Sequence, residues 1–598
     1  MAESLLTASA PEPFAPADRW VLAGAVAVGA STTVPHDLSL WWPLAVATVA
    51  VRVRWRWPLL VALVLVGSTM TARAERGLTP VGAGHLADVV TLASDPEWLG
   101  PALRADISHD GARLEAWFRG AAARTVSDRL AGEQIRIEGA VRPRDQAKAW
   151  LEIRHIRGSV SVTSAQWVGP GALPNRMANG LRRTIEAGLR SFDHDRAALV
   201  TGLIYGDDRG QDPVTADRFR AAGLTHLLAV SGSNVLFVLA LAAPLVAGWP
   251  RPARLLALVV VLAFFALVTR YEPSVLRATV MAGLALIGHH SGRSVSSVRL
   301  LALAFTILVI VDPLLIRNIG FQLSVAASVG ILALARPIVA RIPGPRWLAE
   351  AGGVTLAAQL GVLPIQLTVF GGLPLASLPA NIAAVPVAGP VMVWGLTAGL
   401  VAGLLGGGLA DLIHWPTRLA VDWLLLVADV VGGLSTAQVR SWHLPVLGAA
   451  AVVAVLRPRA GLAAGVGAGL LVMALGGPPA ALERPGTGIT VHRGGAMVMV
   501  LEPGTLASER RLLEDLREAG VGTIDVLVLE TGGRSALQAL SVIRHSRTVR
   551  LVVAPRGSGA SDAWLIDEPI ELGAGDLDVR ITLDEDGSLA VTVRPRGP

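Results

Sequence analysis

The stretch Gly223-Leu224-Thr225-His226-Leu227-Leu228-Ala229-Val230-Ser231-Gly232-Ser233-Asn234-Val235 carries a cluster of polar side chains into an apolar run that spans 226–247. Polar groups at the lip of such a run need partners, because an unsatisfied group in hydrocarbon is costly. Further apolar stretches flank it near 20–34, 38–51, 57–71, 255–270, 274–290, 297–311, 320–335, 350–370, 378–405, 411–432, 443–456 and 460–476. A bilayer core takes about 20 helical residues, with a range of roughly 17–25. Composition agrees: 52% of the 598 residues are hydrophobic and 16% are charged, against roughly 25% charged in soluble domains. Mean hydropathy is +0.54. The sequence predicts a polytopic α-helical membrane protein of about 11–13 spans.

There is no cysteine, which excludes disulfides, iron–sulfur clusters and thiolate zinc sites. Among 52 basic residues one is a lysine, Lys148, in Gln146-Ala147-Lys148-Ala149-Trp150. A G-x-x-x-x-G-K-[ST] phosphate loop needs its lysine directly after a glycine, so the sequence holds no P-loop motor. The net charge of +6 divides unevenly: residues 173–476 hold +9, 72–172 hold +1 and 477–598 hold −4. The excess thus lies in the membrane region, where the positive-inside bias of cytoplasmic loops accounts for it. With the N-terminus inside, the cytoplasmic loops hold Arg52, Arg54, Arg56, Arg251, Arg254, Arg293, Arg299, Arg336, Arg341, Arg346, Arg457 and Arg459; the opposite loops hold Arg270, Arg317 and Arg440. That asymmetry predicts that 72–172 and 477–598 both lie outside the cytoplasm.

Residues 72–172 alternate with period two in Ala112–Phe118, Gln134–Gly139 and Trp150–Ile156. Such alternation, broken by Gly and Pro, predicts antiparallel strands with one buried face. About 100 residues of this kind suit a small barrel of the oligonucleotide-binding type. Residues 174–191, with Leu181, Ile185 and Leu189 at helical spacing, predict an amphipathic surface helix. Toward the C-terminus, strands at 489–491, 496–501 and 524–529 alternate with helices at 509–519 and 535–544, an α/β layer pattern. The resulting division is 1–71 membrane segments, 72–172 barrel, 173–476 membrane domain and 477–598 α/β domain.

His226, Ser231, Gly232, Ser233 and Asn234 invite a serine-hydrolase reading, with Ser231 as nucleophile and His226 as base. The local Ala229-Val230-Ser231-Gly232-Ser233 lacks the first glycine of G-x-S-x-G. On one helix, five residues also turn the two side chains about 500° apart. A polar helix break lining a cavity fits better. Arg277, Gln322, Ser324, Gln359, Gln366 and Asn381 are further polar residues within apolar stretches, with Pro364, Pro379 and Pro386 close by. Each alone reads as an interhelical hydrogen bond; together, and with Arg277 among them, they predict a hydrated path. Asp207, Asp208 and Asp212 read as a solvated Asp/Gly turn.

Gly223 to Val235 resembles the signature of the ComEC competence-protein family, membrane channels for DNA uptake. The resemblance continues through Pro273-Ser274-Val275-Leu276-Arg277-Ala278-Thr279-Val280-Met281, Asp312-Pro313, Gly320-Phe321-Gln322-Leu323-Ser324-Val325-Ala326-Ala327, Gln359-Leu360-Gly361-Val362-Leu363-Pro364 and Pro379-Ala380-Asn381-Ile382-Ala383-Ala384-Val385-Pro386. It implies a plasma-membrane channel for single-stranded DNA in natural transformation. It also implies an extracytoplasmic oligonucleotide-binding-type barrel, a C-terminal metallo-β-lactamase-like domain, and a separate ATP-driven helicase or translocase and DNA receptor as partners. Channel-lining candidates are His226, Ser231, Gly232, Ser233, Asn234, Arg277, Gln322, Ser324, Gln359 and Asn381. For DNA on the barrel, base stacking beside basic groups points to Arg136, Arg142, Arg144, Lys148, Trp117 and Trp150, with Trp98 and Phe118 beside them.

Two positions depart from the family pattern. Ser233-Asn234 stands where the family often has Leu-His. After the strand at 524–529, the family's H-x-H-x-D-H run is replaced by Glu530-Thr531-Gly532-Gly533-Arg534-Ser535, and from 477 onward only His492 and His545 occur. The expectation is a degenerate lactamase-like domain with no metal, no cofactor and no catalytic residue. The alternative function is a transporter of another solute or of a lipid-linked substrate.

Overall fold

A computed structural model of the chain describes residues 16–34, 57–145, 149–293, 295–370, 372–374, 376–433, 438–439, 482–486, 488–502, 509–584 and 587–596. The apolar stretches 38–51, 443–456 and 460–476, together with Arg52, Arg54, Arg56, Lys148, Arg440, Arg457 and Arg459, lie outside the described residues. The chain begins with α1 (Pro16–Ser31) and α2 (Trp57–Gly77). A β-domain follows: β1 (Gly84–Leu92), β2 (Glu97–Leu99), β3 (Ala102–His109), β4 (Ala112–Phe118), α3 (Gly120–Val126), β5 (Gln134–Pro143), α4 (Ala149–Ile153) and β6 (Ile156–Gly169). Next come α5 (Leu173–Gly188), α6 (His194–Tyr205), α7 (Pro213–Ala221), α8 (Ser233–Leu245), α9 (Arg251–Val268), α10 (Pro273–His290) and α11 (Ser297–Val311). After them lie α12 (Ile319–Val339), α13 (Arg346–Val369), β7 (Leu373–Pro374), α14 (Ser377–Leu405), α15 (Gly407–Ile413), α16 (Trp415–Gly433) and β8 (Gln438–Val439). The C-terminal part is β9 (Leu482–Gly486), β10 (Ile489–Arg493), β11 (Met497–Leu501), α17 (Glu509–Glu518), β12 (Thr523–Leu529), α18 (Arg534–Ser546), β13 (Thr548–Pro555), β14 (Trp564–Ile566), β15 (Ile570–Ala574), β16 (Leu577–Leu583) and β17 (Leu589–Pro595).

These elements form two units, one of Met1–Arg209, His226–Ile365 and Val385–Val421, the other of Gly210–Thr225, Gln366–Ala384 and Asp422–Pro598. In the first, the β-sheet closes on itself in the order β1-β5-β6-β4-β3-β1, with β2 added at the edge of β3. All pairs are antiparallel except β4 with β6. Alternation puts Leu103, Ile107, Phe118, Ile135, Ile137 and Val160 inside, and α3 closes one end with Ala122, Ala123 and Val126. Gly139 marks a register shift in β5, where a side chain would run into Ser161 O.

Among the described residues, four helices are long and apolar enough to cross a membrane: α9, α12, α13 and α14, of 18, 21, 24 and 29 residues. Three expectations are corrected. The stretch 226–247 is not one span, because Gly232 caps a helix that starts only at Ser233 and runs 13 residues. The stretch 411–432 is interrupted at His414, between α15 and α16. Trp150–Ile156 is not a strand: Ala149–Ile153 is helical, His155 turns the chain at φ 58°, and the strand begins at Ile156. The alternation of Trp150 to Ile153 falls in a short helix instead, and Glu152 to His155 are all half-buried rather than alternately buried and exposed.

In the second unit a mixed sheet runs β14-β13-β12-β11-β10-β9, parallel from β11 to β14. Its alternation feeds two cores. Leu501, Leu527, Leu529 and Val552 face α17 and α18, while Val498, Val526, Val528 and Val553 face the antiparallel sheet β15-β16-β17. The predicted strands at 489–491, 496–501 and 524–529 and the helices at 509–519 and 535–544 are all found.

Small residues let α12 and α13 of the first unit approach closely. A side chain on Gly330 of α12 would run into Ala357 O, and one on Gly361 of α13 would run into Ala326 O. Overpacking of this kind costs about 1–3 kcal/mol. Gly361→Ala should therefore lower the unfolding midpoint of the detergent-solubilised protein, and a midpoint unchanged from the parent would show that the crossing tolerates a methyl group.

Candidate functional site

The polar stretch before α8 is fixed from three sides. α6 ends at Gly206 (φ 80°), where a side chain would lie 2.9 Å from Val230 Cγ2. At the start of α10, Ser274 Oγ donates to Val230 O at 2.7 Å. Asn234 is buried and its Nδ2 donates to Leu203 O at 3.0 Å. Ser231 Oγ pairs with Ser233 Oγ and donates to Asn234 Oδ1 at 3.2 Å. His226 lies in a separate 3-10 turn, Thr225–Leu227, and has no hydrogen bond to Ser231. The local geometry is that of a polar helix start rather than a nucleophile with its base.

Arg277, on the second turn of α10, meets this segment. Its Nε donates to Ser324 Oγ at 2.9 Å, and its Nη1 to Ser328 Oγ at 2.6 Å and to Met281 Sδ at 3.5 Å. A methyl group on Gly232 would sit 2.9 Å from Arg277 Nη2 and 3.1 Å from Ala278 Cβ. The structure thus brings Ser231, Gly232, Ser233, Asn234, Arg277 and Ser324 together, three of the matched motifs in one place. Ser328, one turn beyond Ser324, belongs to the same cluster and was not singled out from sequence, though i,i+4 spacing was the available signal.

Other candidates stand elsewhere. Gln322 Nε2 donates to Ile316 O at 2.7 Å, tying down the start of α12 beside the Asn318 cap. Gln359 is half-buried on α13. In the second unit, buried Asn381 donates to Ser377 O at 2.7 Å and to Gly223 O at 3.4 Å. Asp312 of Asp312-Pro313 caps the turn at 313–317 and meets His155 Nε2 of the β-domain at 3.1 Å.

On the barrel, Arg136 and Arg142 are exposed on β5. Arg144 is turned inward onto Glu152 at 3.2 Å, and Trp117 Nε1 donates to Glu115 Oε2 at 3.1 Å. Trp150 is exposed, with the Arg154 guanidinium 5.1 Å from its ring centroid. Trp98 is exposed, while Phe118 is wholly buried in the barrel core. Arg154 itself is held by Asp106 and Glu115.

A buried ion cluster was missed. Arg182 of α5 is 1% exposed and bonds Asp95 at 2.8 Å and Asp207 at 2.6 Å. Arg209 bonds Asp207 at 2.6 Å, and Arg270 bonds Asp95 at 2.9 Å and Asn179 Oδ1 at 2.7 Å. Asp207 is therefore not part of a solvated turn, which corrects the reading from its Asp/Gly setting. Asp212 does serve a turn, as the cap of α7. Burial works against the Asp95 charge, but Arg182, Arg270 and Arg209 outweigh it and hold the carboxyl well below its ordinary range.

Glu530 directly follows β12. Burial, with Glu502 and Asp584 nearby, pushes its carboxyl up to about 7.

Residues 203–460 match the competence protein family. The matched region covers less than half of the chain. The chain is 28% identical over 282 residues to ComE operon protein 3 of Bacillus subtilis, covering 46% of this chain and 35% of that protein. It is 27% identical over 230 residues to the uncharacterized protein YcaI of Escherichia coli, covering 35% of this chain and 29% of that protein. The matched region thus spans about a third of the length of these curated relatives. No solved structure matches the chain. The Val230–Asn234 segment, Arg277, Ser324 and Ser328 all fall inside the region that matches the family.

Two expectations follow for the groups outside the apolar helices. Removing one partner from a buried ion cluster costs about 3–5 kcal/mol, so Asp95→Asn should destabilise the solubilised protein by that order at pH 7.5. The carboxylate's stabilisation is complete above its unfolded value of about 3.9 and is lost as pH falls toward the depressed folded value. The difference between Asp95→Asn and parent should accordingly shrink in melts taken below that pH, and a pH-independent difference would contradict the assignment. Glu530 has the opposite sign: its folded value is raised, so ionisation destabilises the fold as pH rises from about 4.3 through about 7. Glu530→Gln should match the parent near pH 4 and exceed it in stability at pH 8, as read by hydrogen exchange of β12.

Proposed function

We infer that the chain forms a plasma-membrane conduit through which one strand of DNA enters the cell during transformation. The observation that carries this reading is the polar cluster of the region that matches the competence family, where a guanidinium and serine hydroxyls meet among apolar helices. Ionisable groups in that setting mark a hydrated path for solute. Several apolar helices besides the four of full length complete the membrane region in this reading, giving about 11–13 spans. The hydrolase alternative loses support because Ser231 is engaged with Ser233 and Asn234.

The β-domain is read as an oligonucleotide-binding-type barrel. Its support is the closed five-strand circuit, the single parallel pair β4–β6 and the helix between β4 and β5. An extracytoplasmic position is supported by two of the sparse arginines of the opposite loops: Arg270 bonds Asp95, and Arg317 bonds Glu75 and Glu152 at 2.9 and 3.0 Å. The C-terminal unit is read as a degenerate lactamase-like domain without hydrolytic activity, supported by its layered sheets and by Glu530-Thr531-Gly532 after β12. Asp217 of α7 bonds Arg517 and Arg547 at 2.5 and 3.1 Å, which ties the start of the competence-family region to that domain. With no P-loop in the chain, the energy for strand import comes from a separate ATP-driven translocase, and a separate receptor delivers the DNA.

Deleting the gene in its host and supplying labelled duplex DNA tests the reading. Internal, nuclease-protected label should fall to background while surface-bound label persists. Unchanged internal label would assign the chain to another solute.

A further inference from the structure

Among the described residues, Arg277 is a cation without a counter-charge. Buried Arg182 and half-buried Arg154 and Arg299 each bond a carboxylate, of Asp95, Asp106 and Asp18 respectively. Arg277 has serine hydroxyls and a thioether instead, and no described charged group acts on it. An ionised group among apolar helices is costly unless paired or hydrated. Its Nη2 edge makes no hydrogen bond among the described residues and faces Gly232, where even a methyl group would lie 2.9 Å away.

The neighbours explain what such a site accepts. The two serines hold the guanidinium plane from one side without neutralising it. Gly232 puts no side chain against the other edge, and the Ser231 and Ser233 hydroxyls beside it are engaged with each other and with Asn234. A guanidinium fork with no carboxylate beside it matches a phosphate oxygen pair. A resident carboxylate would pair with the cation permanently and remove it from service. A conducting site must bind well enough to admit its solute and weakly enough to release it, which one uncompensated cation satisfies.

We propose that Arg277 is the phosphodiester contact of the conduit, a single fixed cation that each backbone phosphate of the strand meets in turn. This rests on the conduit reading above. Ser324 and Ser328 are positioning residues, and Gly232 provides clearance.

The full chain in a planar bilayer under a KCl gradient, with oligothymidine as the probe, tests the assignment. The parent should be anion-selective and blocked by the oligonucleotide. Arg277→Gln should lose anion selectivity and weaken the block about tenfold, the effect of one lost contact worth about 1.4 kcal/mol. Arg277→Lys should keep most of both, which separates a charge effect from misfolding. Ser328→Ala, which loosens the guanidinium and leaves its charge, should fall between parent and Gln. A methylphosphonate oligothymidine, whose backbone is neutral, should block parent and Arg277→Gln alike. Equal oligothymidine block in parent and Arg277→Gln overturns the proposal, and is also the result if the phosphate that Arg277 holds belongs to a lipid headgroup. Absence of any parental current overturns the conduit reading and this assignment with it, an outcome distinct from equal block.

Discussion

Hydrocarbon offers no partner to a polar group, and that constraint orders the helices of this chain. Asn234 is satisfied by Leu203 O, Ser274 by Val230 O, Gln322 by Ile316 O and Asn381 by Ser377 O. Leu203 O and Ile316 O lie near the ends of their helices and Val230 O lies in the connection before α8, while Asn381 bonds back to the first residue of its own helix. The polar motifs thus do two things at once: they occupy carbonyls that irregular backbone would leave unpaired, and they fix where one helix stops against the next. Arg277 is the group the same logic leaves incomplete, since its hydroxyl partners meet its hydrogen-bonding need and leave its charge.

The arginines at the edge of the apolar helices follow a different rule. Water and carboxylates are both available there, and Arg270 and Arg317 take carboxylates from the β-domain and from α2. Arg317 joins Glu75 and Glu152, and Arg270 joins Asp95. Asp312 reaches His155 of the β-domain. The Asp312-Pro313 motif therefore serves a helix cap and a docking contact with one side chain, whose Oδ1 accepts from Leu314 N while Oδ2 meets the imidazole.

Local periodicity was enough to read several strands of the sheets, though it misread Trp150–Ile156. Gln134–Gly139 alternates because one face of β5 packs into the barrel, and Val526–Leu529 is continuously apolar because β12 is covered on both faces. What depended on distant partners was not legible. Arg182 sits beside Leu181 on the edge of an amphipathic stripe, and nothing within its helix shows that Asp95, 87 residues earlier, and Asp207, 25 residues later, close over it. Asp207 has the composition of a solvated turn, and its burial comes from Arg182 and Arg209. The apolar run at 226–247 misled in the other direction, because hydropathy counts Leu227 to Val230 as membrane while the Ser231–Ser233 hydroxyls and Gly232 delay the helix to Ser233. In the candidate site, six of the residues picked out by type came together, and Gln322 proved to be a backbone tie.

The link between the β-domain and Arg277 is short and stiff. Arg270 and Tyr271 both take positive φ, 55° and 59°, a conformation that costs a non-glycine residue about 1–2 kcal/mol. Two such residues in succession persist only where side-chain contacts over-determine them. Arg270 supplies those contacts, with Asp95 on the β-domain and Asn179 on α5. α10 starts two residues later, Ser274 fastens it to Val230, and Arg277 follows within the next turn. The left-handed turn is thus held by the ion cluster at one end and aims α10 at the other.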